Sequence, residues 1–156
     1  TLYHAERMDK SVSFPRVSPD GTSLMFTLAD YATFPIWHQE ADLWMIDLNK
    51  GETVCLDKLN SKSVESYHSW SSNSRWVVFS SRRMDKLYTR PYIAYVHADG
   101  TVGKPFVLPQ AKGDFYDKCM NSYNIPELIK DKVNVNRLEL VQKSLSEEKK
   151  QIKADI

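Results

Sequence analysis

Little in this sequence points directly to chemistry. Cysteine is scarce, with only Cys55 and Cys119. Two are too few for a disulfide framework, and they lack metal-ligand spacing. An excess of one charge is missing too. The 21 Lys and Arg nearly balance the 20 Asp and Glu, which excludes a strongly basic nucleic-acid binder and an acidic solvating tail. No apolar run approaches the roughly 18 residues that a membrane-spanning helix requires. The sequence has no Gly-x-Ser-x-Gly elbow, no phosphate-cradling glycine loop, no His-Glu-x-x-His and no Cys-x-x-Cys. Its four histidines, His4, His38, His68 and His97, are far apart in sequence. No catalytic residue, metal ligand or cofactor site is therefore assigned.

What is present is a globular composition, 42% hydrophobic and 12% aromatic over 156 residues, long enough to bury a core. It also contains an internal repeat. Ser13-Phe14-Pro15-Arg16-Val17-Ser18-Pro19-Asp20-Gly21 returns 53 residues later as Ser66-Tyr67-His68-Ser69-Trp70-Ser71-Ser72-Asn73-Ser74. The match continues, with Phe26 falling on Phe79. Each copy then has a second pair of runs: Asp42–Asp47 with Thr53–Leu56, and Tyr92–His97 with Pro105–Leu108. Short β-branched and aromatic runs bounded by Asp, Asn and Gly read as strands. Pro19, Asp20 and Gly21 suit a tight turn, and Asn73 tolerates the same backbone.

Four antiparallel strands in about 50 residues is the blade of a β-propeller. The expected fold class is all-β: two four-stranded antiparallel propeller blades of an incomplete β-propeller, with an α-helical C-terminal tail. Residues 1–10 are expected to be the last strand of a preceding blade, through Leu2-Tyr3-His4-Ala5. Residues 11–60 and 61–110 are the two blades, and 111–156 the tail. Because propellers need roughly four to eight blades to close, the outer blades are expected to present bare faces and edges. The chain then reads as a piece of a longer protein, or as one that assembles. In the tail, Asp114–Ser122 is expected as a short helix with Phe115, Cys119 and Met120 near one face. Asn136–Lys153 is expected as a second helix, with Leu138, Val141 and Leu145 packing on the propeller's flank and Glu147, Glu148, Lys149 and Lys150 beyond them. Alternatively, that helix is a partner-binding or self-associating element.

In a meander, successive turns alternate between the two ends. The Asp30–Ala41 loop, the Asp57–Val64 link and the Arg82–Arg90 loop should therefore share one end, where propeller function usually resides. Tyr31, Phe34, Trp37 and His38 there suit protein or sugar contact, unless they fold back onto their own blade. Arg82, Arg83 and Arg90 form a candidate basic spot for carboxylate or phosphate. Structural ion pairing with Asp85, Glu40 or Glu65 is the competing reading. Glu65 and His68 on the innermost strand are candidates for lining the central channel. A blade-core histidine bonded to backbone is the alternative for His68. Trp44, Trp70, Trp76, Phe26 and Phe79 are expected to pack between strands or blades, and both cysteines to be buried thiols.

The Ser18-Pro19-Asp20-Gly21 turn with Leu24-Met25-Phe26 and Asp42-Leu43-Trp44 resembles the TolB-type, WD-like propeller repeat. Phe34-Pro35-Ile36-Trp37-His38, Glu65-Ser66-Tyr67-His68-Ser69-Trp70, Phe79-Ser80-Ser81-Arg82-Arg83 and Tyr123-Asn124-Ile125-Pro126-Glu127-Leu128 are similar to the C-terminal blades of TolB-like proteins of Bacteroides-type bacteria. The resemblance implies a periplasmic or cell-envelope location and a non-catalytic scaffold that binds protein. Its expected partners are an envelope protein or further blades of the same propeller, with a homo-oligomer through open blade edges as another outcome. A polysaccharide lyase or hydrolase is the enzyme-class alternative, with His38, His68, Arg82 and Arg83 lining a sugar site.

Overall fold

A computed structural model gives the architecture, and it describes residues 1–31 and 33–146. Eight strands form two sheets: β1 (Ser11–Val17), β2 (Ser23–Ala29), β3 (Asp42–Asp47) and β4 (Glu52–Cys55), then β5 (Glu65–Trp70), β6 (Trp76–Ser81), β7 (Arg90–Tyr95) and β8 (Phe106–Val107). Each sheet is antiparallel and hydrogen-bonded in chain order. These are two four-stranded meanders stacked as blades of an incomplete all-β propeller.

The hydroxyl-centred hydrogen bonds of the turn recur in both copies of the 53-residue repeat. Ser18 Oγ donates to Asp20 Oδ1 at 2.7 Å, and Ser71 Oγ to Asn73 Oδ1 at 2.7 Å. Ser23 N donates to Ser18 Oγ at 3.0 Å, and Trp76 N to Ser71 Oγ at 2.9 Å. Bonds from the Ser18 hydroxyl and from Thr22 lower the Asp20 carboxyl to a pKa of about 2. Gly21 and its counterpart Ser74 both have positive φ, 74° and 58°. A left-handed serine costs on the order of 1 kcal/mol. The bond from Asp20 N to Ser74 Oγ at 2.9 Å, which ties the two turns together, offsets it. Both inner strands also bulge at the same place. Phe14 (φ 54°) and Tyr67 (φ 49°) interrupt the registers of β1 and β5, and their rings meet at 4.8 Å.

Alternation along the strands puts Met25, Leu43 and Met45 of the first blade against Trp70, Val77, Phe79, Tyr92 and Ala94 of the second, in one buried cluster. Polar bonds fix the register of this seam. His68 Nε2 donates to Met25 O at 2.9 Å, Trp70 Nε1 to Arg16 O at 3.1 Å, and Thr27 Oγ1 lies 3.4 Å from Ser66 Oγ. His68 is 1% exposed, and its Nδ1 has no partner. It is therefore the blade-core histidine, and the channel-lining reading is corrected.

The outer faces are covered in part, where bare ones are expected, and each keeps an open apolar groove. Residues 1–10 supply no strand; Ala5–Met8 form a 3-10 turn. Tyr3 and Ala5 cover Phe26 and Ile46 on the far side of the first blade, with Tyr3 5.1 Å from the Phe26 ring. On the far side of the second blade, Ser80 Oγ meets the carbonyls of Tyr123 and Asn124 at 2.8 and 2.7 Å. Leu128 and Ile129 line an open apolar groove there with Trp76, Ile93 and Phe106.

The tail is mostly irregular. Its first helix, α1, is one turn (Phe115–Lys118) that buries Tyr116, while Met120 is exposed. The Tyr116 hydroxyl donates to Leu108 O, and this bond selects the buried residue. Its second helix, α2 (Arg137–Leu145), is capped by Asn136, whose Oδ1 accepts from Leu138 N at 3.0 Å. Leu138, Val141 and Leu145 are exposed, so this helix does not pack on the flank. The expected extension to Lys153, with Glu147, Glu148, Lys149 and Lys150, lies outside the described residues. Among the described residues no helix is long and apolar enough to cross a membrane. Cys55 and Cys119 are half-buried rather than buried.

Burial lowers the His68 pKa from 6.5 to about 4. The neutral form is the folded form, so its stability contribution is full above pH 6.5 and is lost as pH falls toward 4. Asp42 works in the opposite sense. Burial, then Glu65 and Asp57, raise its pKa to about 6, so its protonation below that pH favours the fold. Denaturation of wild type and His68→Gln between pH 7 and 4 separates the two. Wild type is expected to lose on the order of 3 kcal/mol more than the variant over that range; parallel profiles contradict the seam assignment.

Candidate functional site

The three long connections do gather at one end. Gln39 Nε2 donates to Lys62 O at 2.8 Å, Glu65 N to Ala41 O at 2.9 Å, and Arg83 Nη2 to Leu59 O. In the first loop, Phe34 adopts φ 50° and opens a 3-10 turn, Pro35–Trp37. Pro35 and Ile36 are buried, and Ile36 packs with Ala29, Ala41 and Val64. His38 closes the loop, its Nε2 donating to Thr33 O at 3.1 Å and its Nδ1 lying 3.3 Å from Glu40.

Beneath the loops is a buried polar network. Glu65 is fully buried and accepts from Ser61 N (2.9 Å), Ser61 Oγ (2.8 Å), Ser81 Oγ (2.7 Å) and Arg83 Nη2 (2.9 Å). The Arg83 guanidinium lies 4.6 Å from the Tyr92 ring centre. Four donors, one of them cationic, satisfy this buried side chain. Glu65 is thus corrected from a channel-lining residue to the anchor of the loop link, and Arg83 from a partner contact to its counter-ion.

Arg90 is corrected in the same way. It is 1% exposed. Its Nη1 donates to Asn121 O at 2.7 Å, and its Nη2 to Cys119 O (2.7 Å) and Tyr116 O (3.1 Å), with Asp85 Oδ2 at 3.4 Å. It staples the tail to the second blade, and no surface remains for a partner.

Of the predicted set, Tyr31, Phe34, Trp37, His38 and Arg82 reach the surface together. Trp37 is 70% exposed, Phe34 66% and Tyr31 63%. Large side chains this open do not fold back onto their blade. Trp37 instead stacks on Arg82, whose guanidinium carbon is 3.8 Å from the ring centre. The sequence reading missed Gln39, Ser63 and Lys86, which line a cleft of about 160 Å³ with Trp37 and Arg82. The placement of Lys86 within the Arg82–Arg90 loop was its only signal. Of the four residues proposed for a sugar site, only His38 and Arg82 reach this surface. Among the described residues no three His, Cys, Asp or Glu side chains converge as metal ligands.

No protein-family model and no curated protein matches the chain. Among solved structures, it is similar to the β-propeller domain of the Trilobed protease from Pyrococcus furiosus, at TM-score 0.41 and 20% identity over 64% of this chain and 30% of that one. It is also similar to the GH74 enzyme from Niastella koreensis, at TM-score 0.47 and 10% identity over 64% of this chain and 15% of that one. The chain spans less than a third of the length of either. The fold assignment rests on the strand order and register of the chain itself.

Structural and surface residues should separate in denaturant unfolding. Arg83→Ala leaves Glu65 buried without its cation and is expected to cost about 3–5 kcal/mol. Trp37→Ala is expected to cost about 1 kcal/mol or less. Equal costs contradict the division drawn here.

Proposed function

We propose that this chain is a non-catalytic binding module, part of a TolB-like propeller that holds a protein partner in the cell envelope. One observation carries this reading: three open aromatic side chains on a loop whose own base, Pro35 and Ile36, is buried. Solvent-facing Trp and Tyr on a rigid support are the side chains that anchor protein interfaces. The buried base reduces the ordering cost of binding. The enzyme reading has less support, because His68 and Arg83 are consumed by the fold. The TolB-like assignment draws on the repeat and turn residues, and the envelope location on that resemblance.

The test is capture from an envelope extract of a Bacteroides-type bacterium, with the captured protein identified and re-bound in purified form. The double variant Trp37→Ala, Phe34→Ser is expected to weaken re-binding by at least about tenfold, as loss of a central aromatic anchor does. Lys50→Ala, at the opposite end of the blades, is expected to leave it unchanged. Equal binding by wild type and the double variant removes this face from consideration.

A further inference from the structure

We propose that the cleft between Trp37 and Lys86 is a carboxylate site whose ligand is an acidic side chain on the protein partner, flanked there by apolar residues. The proposal rests on the binding-face reading above and names the ligand chemistry of that face.

The charge ledger of the loop end motivates it. Three arginines lie between residues 82 and 90, and two are neutralised internally, Arg83 by Glu65 and Arg90 by Asp85 and three carbonyls. The Arg82 side chain makes no hydrogen bond or ion pair among the described residues, and its Nε is buried without an acceptor. Arg90 Nε is unmet in the same way inside the fold, so the ligand-facing atoms of Arg82 are its terminal Nη groups, which have no acceptor among the described residues and which an acceptor from outside would meet. Lys86 lines the same cleft and has no ion pair among the described residues. The turn that brings it there is closed by Lys86 N donating to Arg82 O at 2.8 Å, with Lys86 at φ 61°.

The acids nearby are already engaged. Asp85 Oδ1 accepts from Leu87 N and Tyr88 N, each at 2.8 Å, and its Oδ2 faces Arg90. Glu40 faces His38, and Glu65 is bound to Arg83. The cleft is therefore net positive. Stacking on Trp37 orients the Arg82 plane before any ligand arrives, which favours a planar, bidentate acceptor over a point charge.

The rim decides between a peptide and an acidic glycan. Trp37, which lines the cleft, is exposed and apolar, and so are Phe34 in the same loop and Leu87 next to Lys86 in sequence. Two of the polar groups that sugar hydroxyls would need are engaged, Gln39 Nε2 with Lys62 O and His38 Nε2 with Thr33 O, which leaves the Ser63 hydroxyl in the cleft. An acidic residue between apolar neighbours complements both the cations and the rim; a uronic acid chain complements the cations but not the rim.

Fluorescence anisotropy on the purified chain tests this with a short labelled peptide carrying a central Leu-Glu-Phe, its Leu-Gln-Phe counterpart, and labelled polygalacturonate. The Glu peptide is expected to bind at least about tenfold more tightly than the Gln peptide. Arg82→Gln and Arg82→Lys are each expected to abolish that preference, with melting temperature kept as the folding control. Equal binding of the two peptides, an unchanged preference in Arg82→Gln, binding of polygalacturonate alone, or binding of no probe overturns the proposal. If Trp37→Ala, Phe34→Ser loses the captured envelope protein while Arg82→Gln retains it, the binding face stands and the carboxylate site falls.

Discussion

A four-stranded sheet has two faces, and a short sheet in water cannot bury either without a neighbour. In this chain the inner faces of the two sheets bury each other, and every other feature depends on that seam. Met25, Leu43, Leu59, Val77 and Phe79 are fully buried along it, and each such side chain contributes roughly 1.5–3 kcal/mol relative to exposure. Apolar burial alone does not set register. The bonds from His68 to Met25, Trp70 to Arg16 and Asp20 to Ser74 do, because each leaves a buried polar group unmet if the sheets slip.

The loop end follows from the same constraint. With the sheets locked, the link between them is held by Glu65, and the Arg82–Arg90 loop is held by Arg83 and Arg90 from below. The two arginines that stabilise the loops cannot also contact a partner. Arg82 is left over, its guanidinium stacked on Trp37 at the surface. A rigid base under open aromatic side chains is the physical content of the binding-module reading.

Much of this was legible in the sequence, for a local reason. The turn residues Ser18, Asp20 and Gly21 and the later Ser71, Asn73 and Ser74 act over a few residues, so their spacing exposed both blades and the shared end of the long loops. Charged and histidine residues were read less well. Whether Arg90 is free depends on carbonyls about 30 residues downstream, and His68 depends on a carbonyl in the other blade. Those distances have no sequence signal. The flanks were misjudged similarly. Tyr3 and the Tyr123-Asn124 segment carry no periodic pattern, yet they cover part of the faces that the repeat alone would leave bare.

Cysteine pairing across the seam tests the arrangement most directly. Thr27 and Ser66 belong to different blades, both are fully buried, and their hydroxyl oxygens are 3.4 Å apart. In the double variant Thr27→Cys, Ser66→Cys, mild oxidation of the folded chain should join the two positions, as peptide mapping by mass spectrometry would show. A control pairing Thr27→Cys with Ile93→Cys, two strands from Ser66 on the tail-facing side of the second blade, should not cross-link. Failure of the first pair to form, or equal yields from both, would contradict the stacked-blade account.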